Sequence, residues 1–191
     1  MLEKNQFSYS FAGFFTQKNQ TDFLQFHSSK VSGVLNTDIP ELAEVAKKAY
    51  KETYSDSSEN IFNISYFEEK LYSANNAIFV AKDKGKIVGF AELDLNSTTN
   101  SVLLNQLYVL KNYQSKGYGS RLVENCFLYA LTENKCQAEL FIFDNNLSAK
   151  RFFRKFGFVE SSTVLIGFGQ SMKCDDIKQF TPYLGNQKAR L

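Results

Sequence analysis

A short stretch with two glycines carries the residues of this chain that are best suited to chemistry. Residues 114–120 read Gln-Ser-Lys-Gly-Tyr-Gly-Ser, so that Gly117 and Gly119 alternate with larger residues. Because glycine lacks a Cβ, the backbone N–H groups here can turn toward one anion and approach it closely. Lys116 and Arg121 add positive charge nearby. The pattern indicates a cradle for a phosphate group.

The stretch lies between a predicted strand and a predicted helix, which is the order that an anion-binding turn requires. The strand covers Ser101–Leu110 and the helix covers Gly119–Leu131, whose apolar residues recur at helical spacing. A helix that begins here adds the positive end of its dipole and the N–H groups of its first turn. A turn that merely contains two glycines is the plainer interpretation. The motif is not a P-loop, and Leu122 stands where a Rossmann fingerprint needs a third glycine.

The remaining segments predict a mixed α/β fold, because strands first follow one another and then alternate with helices. We expect Asp38 to cap the first helix, with Glu41 as the second half of a capping box, and Gly157 to end the last helix. A hairpin turn is expected at residues 83–86. The other expected strands and helices are Val31–Leu35, Ala77–Ala81, Ile87–Leu95, Tyr66–Tyr72, Glu139–Phe143, Asn146–Phe156, Phe158–Ile166 and Asp176–Phe180.

Composition narrows the classes of function. The 191 residues suit one domain, which we place at residues 31–191 after an aromatic-rich arm at residues 1–30. A net charge of +2 argues against nucleic acid or a membrane as the main partner. The single histidine, His27, and three scattered cysteines argue against a metal site or a catalytic triad. With no secretory signal, a cytoplasmic location is expected, and a homodimer is left open.

With these motifs in place, the sequence resembles the GNAT superfamily of N-acetyltransferases. Its phosphate loop has the pattern Q/R-x-x-G-x-G/A, which residues 114–119 satisfy in full. A second family element appears downstream as Asn146-x-x-Ala149-x-x-Phe152-Phe153, followed by Gly157-Phe158. The segments Tyr54–Glu69 and Gly167–Gly169 are loosely similar to bacterial spermidine/spermine acetyltransferases. The resemblance spans roughly residues 31–180.

The resemblance implies a mostly antiparallel sheet with a splayed central pair of parallel strands, Ser101–Leu110 and Glu139–Phe143, flanked by helices. It also implies acetyl-CoA as cofactor and a primary amine as acceptor, either a small amine, a polyamine or a peptide amine. The amine would attack the thioester directly in a ternary complex. The N–H of Val109 is then suited to polarise the thioester carbonyl. The cofactor-binding residues implied are Leu107, Tyr108, Val109, Gln114, Ser115, Lys116, Gly117, Tyr118, Gly119, Ser120, Asn146 and Phe153.

The sequence departs from the family at both proton-transfer positions. Phe153 replaces the tyrosine that usually donates a proton to the leaving thiolate, and residues 103–106 offer no carboxylate as a base. Glu92 and Tyr108 are the candidate catalytic residues that remain. A degenerate member that binds acyl-CoA as a sensor or interaction module is the alternative function.

The segment expected to line the acceptor site carries many charges. An excess of carboxylates would suit a cationic amine or polyamine, and it would equally suit ordinary solvated helix faces. The acidic residues are Glu41, Glu44, Glu52, Asp56, Glu59, Glu68 and Glu69, against Lys47, Lys48, Lys51 and Lys70.

Overall fold

The computed structural model describes residues 31–54, 61–95, 99–165 and 169–180, with the backbone alone at residues 162–165. The expected aromatic arm, His27, Asp56 and Glu59 lie outside the described residues. None of the helices in the described ranges has the length and apolar character that a bilayer crossing requires.

Seven strands form one sheet with the order β1-β2-β3-β4-β5-β7-β6. Within the described residues, β4 and β5 pair in parallel over three positions, from Ser101↔Gln137 to Leu103↔Glu139, and the pairs β1–β2, β5–β7 and β6–β7 are antiparallel. The predicted α/β class, with a mostly antiparallel sheet and a parallel pair, is confirmed. The strands are β1 Val31–Gly33, β2 Asn76–Asp83, β3 Lys86–Asp94, β4 Ser101–Val109, β5 Gln137–Ile142, β6 Val159–Leu165 and β7 Gly169–Cys174.

Helices flank the sheet close to the predicted positions. They are α1 Ile39–Tyr54, α2 Ile64–Tyr72, α3 Tyr118–Thr132 and α4 Leu147–Arg154. Asn146 caps α4, because its side chain accepts a hydrogen bond from the Ala149 N–H. The turn after α4 closes on Gly157, at φ +73°, with a bond from the Phe158 N–H back to the Phe153 carbonyl. This pattern is the helix end that a glycine favours.

The chain divides into two compact units, and the first contains residues up to Glu92 together with Gln106–Val123. In it, the apolar faces of α1 and α2 pack on β2 and β3, and Leu42 and Phe67 are fully buried there. Each such side chain contributes roughly 1.5–3 kcal/mol through its burial. This core holds α1 and α2 in fixed positions over one face of the strands.

The second unit contains Leu93–Asn105 and the residues from Glu124 onward. Its core includes a packed group of rings in which Phe127 lies 6.0 Å from Phe158. Two of the three cysteines, Cys126 and Cys174, are buried in this unit. Cys136 is half-buried, and its sulfur accepts a hydrogen bond of 2.8 Å from the Asn100 side chain.

Two local predictions are wrong. The segment after Asp176 is a short 3-10 helix, Ile177–Phe180, because the Asp176 side chain accepts the Lys178 N–H and favours a turn. The capping box is also absent, since Asp38 reaches back to the Leu35 N–H and Glu41 accepts the Ile87 N–H instead. Both carboxylates therefore stabilise the packing of α1 rather than its first turn.

Candidate active site

The residues of the predicted cradle follow the end of β4. Ser115 and Gly117 both have positive φ values, 60° and 86°, on either side of Lys116. Such an alternation turns successive N–H groups toward one side of the chain. A Cβ placed on Gly117 would meet nothing within 4 Å, so there is open space beside this residue. Alternating backbone conformations of this kind occur in anion-binding turns, and the binding of a phosphate here stays a prediction.

Helix α3 begins directly at the cradle. The Arg121 N–H donates to the Gly117 carbonyl at 3.1 Å, so the first hydrogen bond between residues four apart is accepted by Gly117 itself. The N–H groups of a first helical turn have no acceptor within their own helix, and Gly119 and Ser120 belong to that turn. They are therefore oriented to bind an anion held by the cradle.

Two hydrogen bonds fasten the loop to neighbouring elements. The Gln114 amide donates to the Val109 carbonyl at 2.9 Å, which ties the cradle to the end of β4. The Lys111 N–H donates to Glu52 of α1 at 2.8 Å. The ring of Tyr118 is buried, at 5% exposure, so that residue is available to a ligand through its backbone alone.

A glycine that the sequence analysis did not single out allows β4 to approach its neighbour. A Cβ on Gly89 of β3 would lie 2.7 Å from the Tyr108 carbonyl and 3.0 Å from the Val109 side chain. Any larger residue would therefore displace the backbone of Leu107–Val109. A lone glycine inside an apolar strand is a signal of such an approach.

Tyr108 points into a group of aromatic rings supplied by α1, by the segment that precedes α2 and by β3. Its ring lies 5.7 Å from Phe90, 6.0 Å from Phe62 and 6.4 Å from Tyr54. The Tyr108 hydroxyl donates a hydrogen bond to Tyr54, and burial raises the pKa of Tyr108 well above its usual value. Tyr108 is therefore protonated at neutral pH and is a weaker acid than an exposed tyrosine.

Glu92 lies on β3 with its side chain fully buried. Its Oε2 accepts the Tyr66 hydroxyl at 2.6 Å, and its Oε1 lies 3.2 Å from the Lys70 ammonium. Burial and the adjacent carboxylate raise the pKa of Tyr66. Tyr66 and Lys70 are four residues apart on α2, so both reach the carboxylate from one helix face. The sequence analysis named Glu92 and missed both partners.

The two remaining candidate residues belong to the second unit. Asn146 is half-buried, and its Oδ1 accepts hydrogen bonds from the Ala149 N–H and the Ser148 hydroxyl. Phe153 is 7% exposed, and its ring lies 5.1 Å from Phe152 and 5.5 Å from Phe158. Both positions have a local structural role, and their part in binding a cofactor stays a prediction.

The order of strand, cradle and helix coincides with a known family. Residues 39–158 match the model of the acetyltransferase (GNAT) family. The chain belongs to the GNAT family. This match includes the cradle, Glu92 and Tyr108, and it also includes Asn146 and Phe153 of the downstream motif.

Two proteins of known sequence illustrate how distant the individual GNAT relatives are. An N-acetyltransferase of Archaeoglobus fulgidus is 31% identical over 94 residues, which are 47% of this chain and 64% of that protein. A spermine/spermidine N(1)-acetyltransferase of Bacillus subtilis is 32% identical over 82 residues, which are 39% of this chain and 54% of that protein. The chain thus spans between half and two thirds of the length of these relatives.

Among solved structures, the PaiA N-acetyltransferase of Thermoplasma acidophilum in complex with coenzyme A has a similar fold. It superposes with a TM-score of 0.69 at 20% identity, and the match covers 78% of this chain and 99% of that one. The likeness establishes that the GNAT fold extends over most of the chain.

Proposed function

We propose that this GNAT protein is an N-acetyltransferase that moves the acetyl group of acetyl-CoA to a primary amine by direct attack in a ternary complex. The observation that carries the proposal is the cradle, where Ser115 and Gly117 turn the backbone beside open space at the start of α3. The acetyltransferase names of the relatives and the coenzyme A complex of the structural neighbour support it.

Each part of the first unit has a task in this proposal. Acetyl-CoA supplies the acyl group as a thioester, which is already activated toward amines. The N–H groups of Gly117, Gly119 and Ser120 hold the cofactor's phosphates. The backbone of Leu107–Val109 pairs with the amides of the pantetheine arm as an added strand would, and the Val109 N–H donates to the thioester carbonyl.

Proton transfer has fewer candidates. Tyr108 is the hydroxyl that we assign as donor toward the leaving thiolate, and to act it must give up its hydrogen bond to Tyr54. Both oxygens of Glu92 already have partners on α2, so we assign this carboxylate to positioning Tyr66 and Lys70. The amine then loses its proton to water, and the alignment of the two reactants supplies several kcal/mol of the barrier reduction.

The alternative function, acyl-CoA binding without turnover, is favoured by one residue. Phe153 lacks a hydroxyl and is packed between Phe152 and Phe158. If the site is an enzyme weakened at this position, Phe153→Tyr raises kcat about 100-fold, the low end of what a general acid contributes. Turnover that stays at zero with every amine in both proteins, while acetyl-CoA binds, would favour the alternative.

Calorimetric titration with acetyl-CoA tests the proposal. Gly117→Glu places a carboxylate at the cradle in a strained φ, and we expect at least a roughly 100-fold loss of affinity. Gly85→Glu is the matched control, because Gly85 also has a positive φ, 79°, and open space at its Cβ, in the β2–β3 turn. Equal losses in both variants, or no binding by the folded wild type, contradict the cradle. Turnover with a panel of amines then tests the transfer itself.

A further inference from the structure

The carboxylate of Glu52 caps a turn that lies far from it in the sequence. A short 3-10 helix, Lys111–Tyr113, is the linker turn between the end of β4 and the cradle. Leu110 precedes this turn, and its aliphatic side chain accepts no hydrogen bond. Instead, Oε2 of Glu52 accepts the Lys111 N–H at 2.8 Å. A side chain of α1 therefore does for the linker turn what an N-cap residue does for a helix.

The linker turn is held between two elements of the first unit. On one side, the Leu110 N–H donates to the Val88 carbonyl of β3 at 2.9 Å. Within the turn, the Tyr113 N–H donates to the Leu110 carbonyl at 2.8 Å. Both of these acceptors are backbone carbonyls, which a substitution leaves in place. The bond to Glu52 adds a tie to α1, and this tie depends on a single side chain.

The cradle begins one residue after the linker turn. The Gln114 N–H donates to the Lys111 carbonyl at 3.2 Å, and the Gln114 side-chain amide donates to the Val109 carbonyl at 2.9 Å. Ser115, the first residue of the cradle with positive φ, follows directly. Because Gln114 is bonded both to the linker turn and to β4, the position of that turn determines where the cradle lies relative to Val109.

The place of Glu52 in the sequence is unfavourable for its own helix. It lies in the last turn of α1, Ile39–Tyr54, where the carbonyl groups form the negative end of the helix dipole. Its side chain is exposed, so water competes for its hydrogen bond and the bond adds little to the stability of the fold. A carboxylate at this point is therefore better explained by the tie to the linker turn than by stabilisation of α1.

We propose that Glu52 is a positioning residue for the cofactor, because its carboxylate holds the linker turn where the cradle and the Val109 N–H serve one acetyl-CoA molecule together. The phosphates and the thioester of acetyl-CoA lie at opposite ends of its pantetheine arm, so the groups that bind them must keep a fixed separation. Without the tie, binding has to restrict a freer turn, and affinity falls. The inference rests on the proposed function.

Calorimetric titration with acetyl-CoA tests the inference in a matched set of variants. Glu52→Ala removes the acceptor of the Lys111 N–H, and we expect the affinity to fall at least about fivefold, the equivalent of one lost N-cap. Glu52→Gln keeps an oxygen acceptor without the charge, so its affinity should stay within about twofold of the wild type. Glu44→Ala is the control, because Glu44 is an exposed carboxylate of the same helix that pairs with Lys47. All three variants should keep a Tm within about 4 °C of the wild type.

Amide hydrogen exchange of the unliganded protein gives a second measurement that needs no cofactor. In Glu52→Ala, residues 110–117 should exchange at least about fivefold faster than in the wild type, because the linker turn has lost its tie to α1. In Glu52→Gln and Glu44→Ala, the same residues should exchange at the wild-type rate. The buried strand β2 is the internal reference, and its exchange should be equal in all four proteins.

The outcomes separate this inference from the proposed function. Equal affinity and equal exchange in Glu52→Ala and the wild type overturn the role of Glu52, even if acetyl transfer is observed. A loss of affinity of equal size in Glu52→Gln overturns it as well, because the effect then comes from the charge and not from the bond. Faster exchange in Glu52→Ala alone, with no binding of acetyl-CoA by the wild type, supports Glu52 as the residue that positions the cradle and contradicts acetyl-CoA as its ligand.

Discussion

The cradle and the Glu92 group, which consists of Tyr66, Lys70 and Glu92, hold charge in opposite ways. The cradle offers backbone N–H groups from a few consecutive residues, with Ser115 and Gly117 in positive φ. The Glu92 group uses side chains that are distant in sequence, with Tyr66 and Lys70 of α2 meeting Glu92 of β3. The cradle lies beside open space, whereas the buried carboxylate already has a cation next to it.

This difference separates what a GNAT chain shares from what it can vary. A backbone site depends on local conformation, so many side chains are tolerated if the glycine and the helix start are kept. A side-chain site changes its charge with a single substitution. We therefore expect substitutions at the cradle to affect affinity for the cofactor, and substitutions in the Glu92 group to affect stability.

The largest effect is expected when the group around Glu92 loses one charge. Lys70→Ala removes the ammonium that lies 3.2 Å from a fully buried carboxylate, which should lower the free energy of unfolding by about 3 kcal/mol, the low end for a broken buried pair because Lys70 is partly exposed. Urea unfolding at pH 7 measures it, with Lys70→Arg as control. A loss below about 0.5 kcal/mol, typical of a surface residue, would show that Glu92 is not held by this pair.

At the cradle, the substitution of one glycine should change the affinity for acetyl-CoA as well as stability. Gly117→Ala and Gly85→Ala both force a side chain into positive φ, so each should cost about 1–2 kcal/mol of stability. Only Gly117→Ala should also weaken acetyl-CoA binding, by about tenfold, because the cradle shifts to relieve the strain. Urea unfolding and calorimetry of both variants make the comparison, and a loss of affinity in Gly85→Ala would remove the distinction.

Removal of the Tyr66 hydroxyl tests how much its hydrogen bond to Glu92 contributes to stability. Tyr66→Phe deletes the donor to Glu92 Oε2 and keeps the ring, so stability should fall by about 1.5 kcal/mol, the usual cost of a hydrogen bond to a charged group. Tyr72→Phe, on the same helix with a 63% exposed side chain, is the control. Equal stabilities of the two variants in urea would contradict the bond.

Alkaline pH gives the smallest effect and tests the hydroxyl of Tyr108. The pKa of Tyr108 is raised in the folded state, so above about pH 10 the unfolded chain loses this proton first and the unfolding free energy falls. Below that pH the group is protonated in both states, and it does not change the dependence of the unfolding free energy on pH. Tyr108→Phe should therefore flatten the decline of the unfolding free energy between about pH 9.5 and 11. Parallel curves for the variant and the wild type would show that Tyr108 titrates normally.

The sequence was most informative where structure is local. The turn at residues 83–86 and the helix end at Gly157 are confirmed, because each depends on the backbone preferences of a few adjacent residues. Gly117 has a positive φ, and its part in binding an anion stays a prediction. The seventh strand, Gly169–Cys174, was missed, since Gly, Ser and Lys weaken its strand pattern.

Prediction also failed where distant side chains meet. The partners of Glu92 are 22 and 26 residues earlier in the chain, and no periodicity within β3 or α2 encodes that contact. Glu41 and Asp38 formed no capping box because tertiary partners at Ile87 and Lys82 bind them instead. Knowledge of the site therefore required the positions of α1 and α2 over the strands.

The unequal burial of the three cysteines has a practical consequence for studying this chain. Cys126 and Cys174 are closed off from solvent, and burial raises the pKa of both thiols, so neither forms the reactive thiolate readily. Cys136 is half-buried at the start of β5. A thiol-directed fluorophore should accordingly attach at one native position, which makes the unmodified sequence suitable for single-site fluorescence measurements.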